Sequence, residues 1–377
     1  MGVDVEKVAG EAIDLIGEKI RNLNKLNIIV AGKTGVGKST LINSVFRDNL
    51  AETGMGKPVT THMRKITKKD VPLAIYDTRG FELGKEVQSQ VKQEVIDTIN
   101  KGLSSHDINE AIHCIWYCIN TASNRVEPEE IEWLKELSEA NKVTKVPIIV
   151  VLTQSFSKKN AAALRNMILN ENLDIVQVVP VLASDYDIDD DYVAKAYGLD
   201  VLIQVMGETL PDELIDTLQN VQIASLAEKK RRAHAAVATA IASATAEAAV
   251  PIPLADSTML IPTQMAMLTT ITVIFGFDVN KTIVRAVLSS TIGAGGATIL
   301  GKTIASNLLK MIPGAGSVAG GVISASTAGV ITAALGEAYI AILSMVFNGE
   351  MSIDDIASKK GKEKLTSLYK DFLKRGK

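Results

Sequence analysis

Residues 32–39 read Gly-Lys-Thr-Gly-Val-Gly-Lys-Ser and follow the apolar run Leu26–Ala31 directly. A G-x-x-x-x-G-K-S loop functions only where a strand ends and a helix begins, so these eight residues dictate a strand–loop–helix unit. The glycines let backbone N–H groups turn inward, and the helix start adds the positive end of its dipole. Lys38 is spaced to reach the β- and γ-phosphates of a nucleotide, and Ser39 to offer its hydroxyl to Mg²⁺. The pattern predicts a nucleoside-triphosphate site, with Gly32, Lys33, Thr34, Gly35, Val36, Gly37, Lys38, Ser39 and Thr40 around the phosphates.

From Leu26 to about Leu210 short apolar runs alternate with helix-length amphipathic segments, which predicts a mostly parallel sheet with helices on both faces. Strands are expected at Leu26–Ala31, Met63–Thr67, Leu73–Tyr76, Ile112–Ile119, Val146–Leu152 and Val176–Leu182. The second and third form a hairpin, the last three are central, and a helix follows over Val193–Met206. Cys114 and Cys118 fall inside one apolar run and read as reduced core residues. A net charge of −3 gives no electrostatic case for nucleic acid as a partner.

Before this region, Val5, Val8, Ala12, Ile16 and Ile20 recur at helical spacing, so residues 1–25 read as an amphipathic helix; its charges argue against a secretory leader. After it, Pro211 is expected to open one long helix reaching about Val250, where Pro251 and Pro253 stop it. Residues 257–277, 286–301, 311–336 and 338–348 carry no charge. Such runs fit a soluble helical bundle and a membrane-inserting domain alike. Residues 351–377 turn basic and amphipathic, suiting either an anionic membrane or an apolar stripe packed on the chain's own domain. The expected domains are therefore 1–25, 26–210, 211–350 and 351–377.

A second motif narrows the chemistry. The run Leu73–Tyr76 ends in Asp77-Thr78-Arg79-Gly80, a D-x-x-G element in which the acid serves Mg²⁺ and the Gly80 N–H senses the γ-phosphate. Between the two motifs lies Gly56-Lys57-Pro58-Val59-Thr60-Thr61, where a switch threonine completes the Mg²⁺ shell; Thr60 is favoured and Thr61 is the alternative. The expected metal set is Ser39, Thr60 and Asp77, and the expected catalytic set Lys38, Thr60 and Gly80.

This order of motifs, followed by Ile115-Trp116-Tyr117-Cys118-Ile119, resembles the Era- and septin-related branch of translation-factor-type GTPases over residues 26 to about 210. The charge-poor region from about Asp212 resembles a hydrophobic helical domain of unknown function that follows the GTPase domain in some bacterial Era-like proteins. The resemblance implies GTP and GDP as ligands with Mg²⁺. It also implies a base-recognition motif, Asn/Thr-Lys-x-Asp, where this chain has Thr153-Gln154-Ser155-Phe156. Thr153 matches, Gln154 can stack its stem on the base, and Phe156 replaces the acid that reads guanine. Losing that charge-assisted contact removes about 2 to 4 kcal/mol of discrimination against adenine. Ala183, in Leu182-Ala183-Ser184, matches a backbone contact to guanine O6. Where many GTPases place a water-orienting Gln, this chain has Phe81, which implies slow intrinsic hydrolysis, with Arg79 and Lys33 as charge donors.

The expectation is an α/β P-loop GTPase domain followed by an all-α hydrophobic helical domain. It would act as a slow GTP-dependent switch in the cytoplasm, meeting a membrane, a protein partner or a second copy through residues 211–377. An ATP-using P-loop protein and a non-catalytic nucleotide-binding scaffold are the alternatives.

Overall fold

The computed structural model describes residues 5–47, 50–53, 55–78, 85–189, 192–247, 252–253, 260–290, 322–323 and 325–375. The chain divides into two compact units, one of residues 23–228 and one of residues 1–22 with 229–377.

An N-terminal helix, α1 (Val5–Arg21), belongs to the second unit. The first unit then runs β1 (Leu26–Ala31), α2 (Lys38–Val45), α3 (Leu50–Thr53), β2 (Met55–Pro58), β3 (Met63–Thr67), β4 (Leu73–Thr78), α4 (Lys85–Ser104), β5 (Cys114–Asn120), α5 (Pro128–Ala140), β6 (Ile148–Thr153), α6 (Lys158–Leu169) and β7 (Gln177–Pro180). It continues with β8 (Tyr186–Asp189), β9 (Tyr192–Ala194), α7 (Leu199–Thr209) and α8 (Asp212–Val221). The main sheet has the order β2-β3-β4-β1-β5-β6-β7. β1 lies parallel to β4 and β5, whereas β2–β3 and β3–β4 are antiparallel.

Helices cover both faces, so alternate residues of one strand enter different cores. Leu26, Ile28 and Val30 of β1 join Trp116 on one face, while Ile29 and Ala31 join Ile115 and Tyr117 on the other. Complete burial on both sides is why these strands read as unbroken apolar runs. Cys114 and Cys118 are free and buried, and burial pushes both thiols up, Cys118 to about 12.

Three local expectations are corrected. The last strand of the sheet, β7, lies at its edge and not in its centre. Residues 192–194 pair with β8 as a hairpin, and the helix begins only at Leu199. Gly198 makes that start: it has φ +85°, and a Cβ there would lie 2.1 Å from the Pro180 carbonyl oxygen. The long helix expected from Pro211 is broken between Val221 and Leu226. At the break Gln222 is extended, and its side chain replaces helical bonds: Oε1 accepts from Ala224 and Ser225 N–H at 2.8 Å, and Nε2 donates to the Ser225 carbonyl at 2.9 Å. Leu214, Leu218 and Val221 of α8 pack in the same core as β1, within the unit of residues 23–228.

The second unit contains α1 and the helices α9 (Leu226–Glu247, from Lys229 onward), α10 (Ile261–Phe275), α11 (Lys281–Leu288), α12 (Ala325–Phe347) and α13 (Lys359–Arg375), with a short pairing of Ile252–Pro253 and Val322–Ile323. α1 buries Ala9, Ala12 and Ile16, and Lys19 Nζ donates to Thr270 Oγ1 at 2.9 Å. Lys229 is fully buried yet satisfied, because its Nζ donates to the Ile274 and Phe275 carbonyls at the C-terminal end of α10. Thr272 and Tyr339 form a buried hydroxyl pair at 2.8 Å.

α10 has 15 residues, short of the ~20 that a bilayer core requires. Ser326–Phe347 is long and apolar enough to cross a membrane, and 56% of its most apolar window is buried within the protein. Residues 291–321, which include most of the charge-free run 286–301 and part of the run 311–336, lie outside the described residues. Leu365, Tyr369 and Leu373 of α13 are buried in a row, so its apolar stripe packs on its own unit.

His113 ties the start of β5 to β1. Its Nδ1 accepts from Asn27 N–H at 3.0 Å and its Nε2–H donates to the Ile108 carbonyl at 2.9 Å, an arrangement that requires the neutral ring. Burial lowers its pKa from 6.5 to about 4. The unfolded chain therefore binds a proton that the native one refuses as pH falls through this window. Its contribution is intact above about pH 6.5 and decreases toward pH 4, by up to about 3 kcal/mol. Urea unfolding at pH 7 and pH 4.5 should show a smaller acid-induced loss in His113→Asn than in the native chain.

Candidate functional site

The loop between β1 and α2 is built by close approach. Gly32 has φ +143°, and a Cβ there would lie 2.4 Å from the Cys118 carbonyl oxygen of β5. Gly37, with φ 94°, takes the N-cap position of α2 and supplies no side-chain cap. The first N–H groups of α2 are thus left to a ligand, which suits phosphate oxygens. Lys38 Nζ donates to the Gly32 and Lys33 carbonyls at 2.8 and 3.0 Å, folding its chain back over the loop.

β6 braces the loop from below. Thr153 Oγ1 lies 2.6 Å from the Val36 carbonyl oxygen and 3.1 Å from that of Ile119, so its single proton is shared between the loop and β5. Gln154, held at φ 52°, donates from Nε2 to the Gly35 carbonyl at 3.3 Å. Both residues, read from sequence as base-contacting, support the phosphate loop in this arrangement. Lys33 turns to α5, its Nζ 3.8 Å from Glu130 Oε1, and burial raises the pKa of that carboxyl.

The result is a cleft of about 470 Å³. Thr34, Gly35, Gly37, Lys38, Ser39, Thr40 and Gln154 line one side, and Arg64, Asp77 and Thr78 line the other. Gly32, Lys33, Val36, Thr153 and Ala183 are not in the lining, the first four because they form or brace the loop from behind. Ala183 is half-buried and packs against the core beside β1. Arg79, Gly80 and Phe81 lie outside the described residues.

Asp77 is buried at the end of β4. Its Oδ2 accepts from Arg64 Nε at 3.0 Å, because antiparallel register places Arg64 of β3 opposite Asp77. Its Oδ1, and the Thr78 hydroxyl beside it, are buried without a hydrogen-bond partner among the described residues. A buried carboxylate oxygen left unpaired is costly, and together with Ser39, which lines the same cleft, it fits the hard oxygen donor set of Mg²⁺. Arg64 was absent from the sequence expectations; only the register of the hairpin reveals it.

Thr60 is not among the cleft-lining residues. Its hydroxyl donates to the Glu94 carboxylate of α4, to which the neighbouring His62 also bonds. Phe156, in the position of the base-reading acid, packs on Tyr186 with ring centroids 4.5 Å apart. Tyr197 anchors this segment by donating its hydroxyl to the Ser155 carbonyl at 2.8 Å.

Residues 27–154 match the family described as 50S ribosome-binding GTPase, and residues 214–375 match a domain of unknown function (DUF697). The chain is 23% identical to human septin-12 over 192 residues, covering 44% of this chain and 52% of the septin. It is 28% identical to septin-1 of Bos taurus over 189 residues, covering 43% and 50%. The aligned region thus spans about half the length of these two relatives, and only 26% of rat septin-9. Among solved structures it is similar to Cdc11 from Saccharomyces cerevisiae, at 18% identity over 45% of this chain and 70% of that one, with a TM-score of 0.28. The match over 27–154 and the mostly parallel, helix-flanked sheet mark a GTP-binding P-loop GTPase domain.

The Gly32 approach is directly testable. Gly32→Ala forces a Cβ against a β5 carbonyl and an L-residue into φ +143°, so unfolding should show a loss of about 2 to 4 kcal/mol. Nucleotide affinity of the folded fraction should fall with it.

Proposed function

We propose that this chain is a GTP-dependent switch with slow intrinsic hydrolysis, in which residues 23–228 bind Mg²⁺ with GTP or GDP and the helical unit carries the output. The observation that supports this most strongly is the cleft in which Lys38 and Ser39, at the start of α2, face the buried, half-unpaired carboxylate of Asp77. Backbone N–H groups of Gly35 to Thr40 and the Lys38 ammonium would take the phosphates. Mg²⁺, held by Ser39 and Asp77 with Thr60 as a further ligand, would offset phosphate charge when bound. Gly80 would respond to the γ-phosphate.

Slow turnover follows from Phe81, which has no group to orient a water molecule. Of the two cations expected as charge donors, Lys33 is turned toward Glu130 and Arg79 lies outside the described residues, whereas Arg64, not among those expectations, lines the cleft. Arg64 is thus the better-supported charge donor. Guanine selectivity without a carboxylate at Phe156 would rest on backbone contacts, including that of Ala183. Output to a membrane, a protein partner or a second copy would pass through the helical unit, whose helix Ser326–Phe347 has the length and hydropathy for lipid.

Competition between Mg·GTP and Mg·ATP analogues on the full-length chain tests the assignment. Guanine preference is expected, and Lys38→Ala should weaken binding about 10- to 100-fold, the value of a charge-assisted phosphate contact. A preference for ATP would sink the GTPase reading. Flotation with liposomes in the GTP-analogue and GDP forms tests the output; equal flotation in both removes the membrane coupling.

A further inference from the structure

The loop joining β2 to β3 carries Thr60 and is bound to α4 through one side chain. Glu94 is half-buried, and both of its oxygens are occupied from that loop. Oε2 accepts from the Thr60 hydroxyl and from His62 N–H at 3.2 Å, and Oε1 accepts from His62 Nδ1–H at 3.0 Å. The loop is already folded on itself, with Val59 and Thr60 N–H groups both donating to the Met63 carbonyl at 2.8 and 3.2 Å. The next cation in the chain, Arg64, reaches Asp77 instead.

We infer that Glu94 is a positioning residue that latches Thr60 onto α4 and thereby lowers affinity for the triphosphate relative to the diphosphate. The inference rests on the GTP-switch reading. Three hydrogen bonds to one carboxylate fix the loop where Thr60 does not line the cleft, and bonds to an ionised acceptor are stronger than neutral ones. A triphosphate that recruits Thr60 must displace it from Glu94; a diphosphate that leaves Thr60 alone pays nothing. Apparent affinity is reduced by the fraction of molecules in the competent arrangement, so the latch acts on one ligand only.

The test uses full-length protein with Mg²⁺ and fluorescent GDP and a non-hydrolysable GTP analogue. Glu94→Ala removes all three bonds and puts a good helix former in α4. It should raise the ratio of analogue to GDP affinity about tenfold, with GDP affinity within about twofold of native. His62→Ala removes one bond from the loop side and should move the ratio the same way by about two- to threefold. An unchanged ratio in both variants, or an equal fall in both affinities, overturns the latch while leaving the switch reading intact. Failure of the native chain to bind either nucleotide overturns the switch reading and the latch with it.

Discussion

Where the chain leaves β1 it must cross the end of β5 at a distance no side chain allows. Gly32 makes that crossing against the Cys118 carbonyl, and everything in the cleft is placed relative to it. The loop can then curl so that Gly37 starts α2 with no side-chain cap, and Thr153 at the end of β6 and Gln154 just after it hold the Val36 and Gly35 carbonyls from behind. A loop fixed at both its entry and its crest presents a rigid set of donors, which is what a polyphosphate needs from a backbone site. β1 also pairs with β4, and this brings the buried end of β4, with Asp77, to the opposite wall.

The cleft is balanced by charges that lie outside the motifs. Arg64 satisfies one oxygen of Asp77 and the other has no partner among the described residues, so the carboxylate is held in place without being fully spent. Glu94 does the reverse for Thr60 and His62, gathering donors from the loop between β2 and β3. Each contact pairs a motif residue with one from a different element. Nucleotide-dependent movement would therefore register as an exchange of these partners rather than as a rearrangement of the sheet.

Much of this was legible in the sequence because its signals are local. The G-x-x-x-x-G-K-S run, the apolar strands and the acid closing β4 each declare themselves within a dozen residues. So does the stripe of Leu365, Tyr369 and Leu373, although periodicity alone did not say what would cover it. The contacts missed are those set by pairing register or tertiary packing. Arg64 meets Asp77 only because β3 and β4 run antiparallel in one register, and Glu94 meets Thr60 across 34 residues. Thr153 holds the base-motif position by sequence, and its hydroxyl bonds the Val36 carbonyl of the loop. The helix expected through residue 250 stops at Gln222, whose side chain competes locally for backbone groups in a way propensity does not capture. In the helical unit, apolar length does not separate a buried helix from a spanning one: Ser326–Phe347 has the length and hydropathy to cross a membrane and is also partly covered by protein.

The central claim is that Asp77 closes a Mg²⁺-dependent nucleotide site against the phosphate loop. Titrating Mg²⁺ into full-length protein with a GTP analogue, in the native chain and in Asp77→Asn, tests it most directly. Affinity that tightens with Mg²⁺ in the native chain and loses most of that tightening in Asp77→Asn is the predicted result. Affinity that is independent of Mg²⁺, or equally Mg²⁺-dependent in both proteins, would contradict it.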